Sequence, residues 1–419
     1  MSRPRIRHHD LRLRPDSSRV LVRPFIPRWD ARMIDAVVNR ALAFSEEETA
    51  GLLRELLQAF EGRHRDLPAA LSAVCAQVIP SAGARHRLSR ERQLLIGALF
   101  AGEYALESAA LFNPSIVPHP DQDGLPAGAL RIILSLRATG EGHISSIEFR
   151  TGVLSAGGEL ALDPAGRFAT GSALHWLEGA AYELRFPPEL PLGERVIFPA
   201  SPDESNGIED ARFVRFQEED GTFRYYATYT AYDGRAILPR LVETYDFTRF
   251  RMLTLQGPGV QDKGMALFPR RVDGRYAMLS RQDGENLHLM YSDDARHWSG
   301  PHILLRPVQP WESVKIGNCG SPLETPAGWL VITHGVGPMR RYCIGAALLD
   351  LADPSRVLGR LREPLLEPSG PEREGYVPNV VYSCGSLIHG KELVLPYAMS
   401  DQVTGVASVD LGDLLAALA

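Results

Sequence analysis

The chain is poor in cysteine: Cys75, Cys319, Cys343 and Cys384 are its only four, with no CxxC spacing and no clustered histidines nearby. That pattern excludes a zinc knuckle and a disulfide framework, and leaves the thiols as small buried hydrophobes. Long apolar runs are missing as well. Without a stretch of about 18 apolar residues no membrane span is expected, and no apolar segment follows the N-terminal charges as a secretion signal would require. Gly257-Pro258-Gly259 is turn chemistry and not a phosphate-binding fingerprint, and there is no serine elbow. These absences point to a cytoplasmic protein with no metal site and no organic cofactor.

What is present has the composition of an ordinary soluble globular protein, 44% hydrophobic and 23% charged, with a formal net charge of −6. The basic residues concentrate only at the start, in Arg3, Arg5, Arg7, Arg12, Arg14, Arg19 and Arg23. Pro4, Pro15, Pro24 and Pro27 interrupt that run, and it has neither interleaved aromatics nor an amphipathic period. A solvated, extended lead-in is therefore expected, with no nucleic acid as partner.

Ser45 to Glu48 has the form of a capping box, and Leu52, Leu53, Leu56, Leu57 and Phe60 follow at helical spacing. A second helical run covers roughly 68–78, and a third begins after Ser89 and carries apolar residues as far as Leu106 and Ala109. No convergent polar cluster lies on these helices. They read as packing elements or as a route to a homo-oligomer, within a first segment spanning 1–109.

From residue 110 the period changes to short strands joined in pairs. Leu130–Leu136 pairs with Ile144–Phe149, Arg224–Thr230 with Leu241–Phe247, and Gly274–Arg281 with Leu287–Asp294; Gly328–His334 pairs with Ile344–Asp350, and Glu392–Tyr397 with Gly405–Val409. Five such units predict an all-β fold, a five-bladed β-propeller over 110–419 with an N-terminal helical extension. A β-sandwich or two smaller β domains is the alternative. In a propeller, polar residues far apart in sequence converge on one central depression.

The polar residues at strand ends and connecting loops are Asn113, Arg137, His143, Glu148, Asp210, Arg212, Glu243, Lys263, Arg281, Glu285, Lys315, His334, Tyr342 and Asn379. Carboxylates beside arginine and lysine in an open depression suit glycosidic cleavage, where one acid protonates the leaving oxygen while water or phosphate attacks the anomeric carbon.

Six strings carry a resemblance: Phe112-Asn-Pro-Ser-Ile116, Gly207-Ile-Glu-Asp-Ala-Arg212, Lys263-Gly-Met-Ala-Leu-Phe-Pro269, Val314-Lys-Ile-Gly317, Thr333-His-Gly-Val336 and Tyr376-Val-Pro-Asn-Val-Val381. Together, and in this order, they resemble glycoside hydrolase family 130, whose β-mannoside phosphorylases and β-1,2-mannosidases share a five-bladed propeller. The resemblance implies that Asp210 is the general acid, working through a hydroxyl of the bound mannosyl unit. It implies a phosphate or water pocket made of Lys263, Arg281, Lys315, His334 and Tyr342, and sugar contacts from Asn113, Arg137, His143, Arg212 and Asn379. Hydrolytic members activate water with glutamates, and Glu243 and Glu285 look like that pair. A carboxylate facing the attack position repels phosphate and can deprotonate water. The expectation is thus an inverting β-mannosidase acting on β-1,2-mannooligosaccharides, with a phosphorylase releasing mannose 1-phosphate, or a non-catalytic glycan- or protein-binding propeller, as alternatives.

Overall fold

The computed structural model describes residues 4–26 and 30–418, so Arg3 and Pro27 of the N-terminal run lie outside the described residues. The chain divides into two compact units: one comprises Met1–Pro15, Glu107–Gly166 and Gly171–Ala419, the other Asp16–Leu106 and Arg167–Thr170.

The smaller unit is helical. Ser45 accepts from the Glu48 amide while the Glu48 carboxylate accepts from the Ser45 amide, so the capping box starts the helix Glu46–Ala59. The helices Leu67–Val78 and Arg90–Leu99 pack beside it, and Ala31–Ala43 is a further helix that the sequence reading missed. The third helix ends ten residues earlier than expected. Ala101–Ala105 is a strand paired with Val20–Pro24. Ala101 is thus a strand residue and Leu106 and Ala109 lie in the turn beyond it, because tertiary pairing overrides the helical period.

The larger unit is built of antiparallel sheets. Five sheets of four to six strands occur among the described residues, and each of the five predicted strand pairs is an antiparallel pair in a different sheet. The strand that leads each sheet is, in chain order, Ala110–Pro118, Ile208–Gln217, Ala266–Leu267, Lys315–Asn318 and Val381–Tyr382. Consecutive sheets share apolar clusters. Val117 and Phe149 of the first meet Phe213 and Tyr225 of the second. Phe216 of the second meets Met278 of the third, Leu279 of the third meets Trp329 of the fourth, and Ile332 of the fourth meets Leu395 of the fifth. Val394 and Val406 of the fifth sheet then share a cluster with Leu134 and Leu136 of the first. Each large side chain withdrawn from water here stabilises by roughly 1.5–3 kcal/mol, and no sheet can bury both faces alone.

The N-terminal run is not a solvated lead-in. Ile6–Leu13 is an outer strand of the fifth sheet, paired antiparallel with Val403–Asp410, and Arg7 is held by Glu392 at 2.7 Å. The alternation of apolar Ile6, Leu11 and Leu13 with charged neighbours suits a half-buried edge strand. No helix among the described residues is long and apolar enough to cross a membrane.

Candidate active site

Two of the leading strands carry the same local irregularity. The strand Ala110–Pro118 shifts register between Phe112 and Ser115, and Ile208–Gln217 does so between Glu209 and Arg212. At these bulges Asn113 and Asp210 take left-handed backbone, with φ of 49° and 54°. A bulge of this kind re-aims a side chain. Here both turn to the same place, and the Asn113 amide donates to Asp210 Oδ1 at 2.5 Å.

Asp210 lies at the floor of a depression lined by residues from all five sheets: Asn113 and Arg137, Asp210, Lys263 with Gly264 and Arg281, Lys315 with His334, Arg340 and Tyr342, and Val380 with Tyr382 and Asp401. Arg137 Nη1 is 3.3 Å from Asp210 Oδ1, and Arg137 Nη2 donates to Glu209 at 2.7 Å. Burial pushes the Asp210 carboxyl up, but Arg137, Lys263 and Arg212, with the Asn113 amide, overcome it and hold it down at about 2. Asp401 behaves oppositely. Burial and then the charge of Asp210 push it up to about 6, against the pull of Arg137, Arg340 and Lys263. Two carboxyls in one depression are thus driven apart, one firmly ionised and one ready to hold a proton.

His334 comes from the fourth sheet. The missing side chain of Gly317 on the paired strand makes room for it, since a Cβ there would collide with the imidazole. Its Nδ1 lies 3.1 Å from the Asn318 carbonyl, which can only accept, so Nδ1 carries the proton and Nε2 is an acceptor. That buried Nε2 has no protein partner among the described residues. Burial, then Arg281, Arg212 and Lys315, holds His334 far below its ordinary value, so the ring is neutral. Lys315 Nζ lies 5.6 Å from the Tyr342 ring, and Arg281 is fastened by Asp262 at 3.1 Å.

Six of the candidate residues lie elsewhere. Glu243 is buried within the second sheet and holds Arg224 at 2.8 Å and Arg251 at 2.9 Å; it does not line the depression. Glu285 is exposed in the turn after Arg281 and does not line it either. Neither glutamate expected to activate water lines the depression: Glu243 is tied to two arginines, and the Glu285 carbonyl accepts from the Ile316 amide at 2.9 Å while its side chain stays exposed. Arg212 is fully buried behind the lining: its Nη1 donates to the Asp210 carbonyl and its Nη2 to the Tyr382 hydroxyl at 2.6 Å. Asn379 accepts from Arg373 at 2.8 Å, and His143 is exposed beside Tyr376. Glu148 is buried against Arg150. Glu209, Arg340, Tyr382 and Asp401 were missed. Glu209 sits inside the quoted string, whereas nothing in the local pattern distinguishes Arg340 or Asp401.

The family model described as beta-1,4-mannooligosaccharide phosphorylase matches residues 190–419, which is more than half of the chain. The chain belongs to glycoside hydrolase family 130. Among its relatives, a 1,2-beta-oligomannan phosphorylase of Thermoanaerobacter sp. (strain X514) is 37% identical over 219 residues, covering 50% of this chain and 71% of that protein. A beta-1,2-mannobiose phosphorylase of Listeria innocua is 32% identical, over 51% of this chain and 60% of that one. A beta-1,4-mannooligosaccharide phosphorylase of Ruminococcus albus is 24% identical, over 74% of this chain and 84% of that one. In three dimensions, beta-1,2-mannobiose phosphorylase from Listeria innocua, solved with beta-1,2-mannobiose, superposes with a TM-score of 0.55 over 74% of this chain and 92% of that one, at 22% identity. That likeness concerns the fold. The matched segment of this family 130 chain carries Asp210, Lys263, Arg281, Lys315, His334 and Asp401.

Proposed function

We propose that this family 130 chain is a β-mannoside phosphorylase that cleaves β-1,2-linked mannooligosaccharides with inorganic phosphate and releases α-mannose 1-phosphate. The observation that carries this reading is the charge of the depression. Arg137, Lys263, Arg281, Lys315 and Arg340 line it against Asp210 and Asp401, while Glu243 and Glu285 do not. Such a lining attracts a dianion. The hydrolase expectation rested on those two glutamates, so it loses its support. The β-1,2 linkage follows the named activities of the relatives with higher identity.

The five sheets with their shared clusters fit a five-bladed β-propeller. The strand Ile6–Leu13 would lock the last blade, and the depression would occupy the central axis. A cytoplasmic location suits an enzyme that consumes inorganic phosphate.

In this mechanism Arg281, Lys315 and Lys263 hold hydrogen phosphate opposite the glycosidic oxygen. His334 Nε2 accepts a hydrogen from either the phosphate or the sugar. Asp210, ionised in the empty depression, takes a proton from solvent as the dianion enters and passes it through a hydroxyl of the mannosyl unit to the departing oxygen, while the sugar phosphate keeps the hydrogen of hydrogen phosphate and then loses it to water. A phosphate oxygen forms the new bond to the anomeric carbon as the glycosidic bond breaks. Attack from the opposite face inverts the β-linkage, giving the α-phosphate.

Incubating β-1,2-mannobiose with and without phosphate, and following products by phosphorus NMR, tests the reading. Phosphate-dependent appearance of α-mannose 1-phosphate is expected. Equal turnover to mannose without phosphate would restore the hydrolase, and no turnover of any mannoside would favour a binding propeller.

A further inference from the structure

Two exposed side chains that do not line the depression meet at its edge. Tyr376, 53% exposed, and His143, also exposed, bring their rings to 5.5 Å between centroids at 33° between planes, with the tyrosine hydroxyl 3.2 Å from His143 Nδ1. They are 233 residues apart in the chain. His143 is held in left-handed backbone, φ 61°, in the turn between the strands Leu130–Thr139 and Ser145–Leu154. Such a conformation in a non-glycine residue is sustained only where the surroundings demand it.

Each partner is anchored to a wall of the depression. On one side, Ser145 just beyond the turn accepts from Arg137 Nε at 2.9 Å. On the other, the Val377 amide donates to the Ser400 carbonyl at 2.9 Å, immediately before Asp401, and the Asn379 carbonyl accepts from the Tyr342 amide at 3.0 Å. Arg137, Asp401 and Tyr342 all line the depression. The ring pair therefore bridges the wall carrying Arg137 to the wall carrying Asp401, on the solvent side of both.

An exposed tyrosine has no folding reason to be fixed by a second ring across a gap in the rim. A rigid amphipathic ring with few rotatable bonds is, however, a good surface for the apolar face of a pyranose, with hydroxyls left free to meet the imidazole. The cations occupy the interior, where the phosphate and the mannosyl unit being transferred must sit, so the rim faces the part of the substrate that leaves.

We infer that Tyr376 and His143 form the platform for the departing sugar, the mannose or mannooligosaccharide released from the reducing side, and so set the affinity for acceptors in the reverse reaction. The inference rests on the phosphorylase reading and adds Tyr376, and a leaving-group role for His143, to the sugar contacts that the resemblance implies.

The test is synthesis from α-mannose 1-phosphate with mannose or β-1,2-mannobiose as acceptor. Tyr376→Ala is expected to raise the acceptor KM about tenfold and to leave the KM for α-mannose 1-phosphate within about twofold. Tyr376→Phe keeps the ring and is expected to stay within about threefold of the parent. An unchanged acceptor KM in Tyr376→Ala, or an equal rise in both KM values, overturns the assignment. Calorimetric titration of β-1,2-mannobiose into Asp210→Asn protein, with and without Tyr376→Ala, separates this inference from the one beneath it. A wild-type protein indifferent to phosphate overturns the phosphorylase reading alone, whereas equal mannobiose affinity in the two proteins, or no binding in either, overturns the platform.

Discussion

Asn113 and Asp210 stand 97 residues apart on the leading strands of two different sheets, and a bulge in each strand brings the amide of one to the carboxylate of the other at 2.5 Å. The bond orients the Asp210 carboxylate and helps to keep it ionised while the depression is empty. Asp210→Asn is expected to lower kcat about 10²- to 10⁴-fold, the usual span for a lost general acid. Because the Asp210 carboxyl is held down at about 2, its charge also stabilises the fold at neutral pH, so the melting temperature should fall by the equivalent of roughly 2 kcal/mol, and initial rates normalised to the folded fraction would separate the two effects.

Glu243 separates the two chemical readings. A base that activates water could not be replaced without losing turnover, whereas a carboxylate that clamps Arg224 and Arg251 is a structural group. Glu243→Gln is expected to cost about 1–3 kcal/mol of stability, because two charge-assisted bonds weaken at a buried site. Specific activity of the folded fraction should be retained, as chemical denaturation paired with initial rates would report.

Asp401 predicts a pH dependence of stability. Its folded value of about 6 lies above the ordinary 3.8, so its favourable contribution is fully present below about pH 4 and is lost as pH rises through 6. Asp210, held down at about 2, acts in the opposite sense and keeps its contribution until strongly acid conditions. Asp401→Asn should therefore gain up to roughly 3 kcal/mol over the parent above pH 6 and draw level with it near pH 4. Melting curves from pH 4 to 8 would show the two profiles diverging.

The cation lining predicts a ligand effect on unfolding. At phosphate concentrations about a hundred times Kd the folded state should gain about 2.7 kcal/mol. Arg281→Ala and Lys315→Ala should abolish most of that gain, since both side chains line the depression. Thermal unfolding with phosphate, against chloride at equal ionic strength, distinguishes specific binding from screening.

The strand Ile6–Leu13 makes a last prediction. Removing residues 1–14 strips the outer strand from the fifth sheet, together with the Arg7–Glu392 pair and the partly buried Ile6, Leu11 and Leu13. A loss of roughly 3 kcal/mol is expected from the apolar area exposed. Urea unfolding of the shortened chain would measure it.

The residues themselves announced the antiparallel strand pairs, the capping box at Ser45 and the string holding Asp210, because strand period, capping chemistry and turn composition act over a few neighbours. Helix ends were less legible: Phe100 to Ala105 is apolar enough for either state, and only pairing with Val20–Pro24 made it a strand. The N-terminal arginines looked solvated until the strand Val403–Asp410 supplied a partner, which no local pattern could reveal. The same holds for the site. Glu243 and Asp401 are both carboxylates at strand ends, yet one is turned into a cluster of arginines and the other into the depression. Which way a carboxylate faces depends on bulges, strand twist and the packing of neighbouring sheets. Tertiary structure alone therefore decided that the depression is cationic.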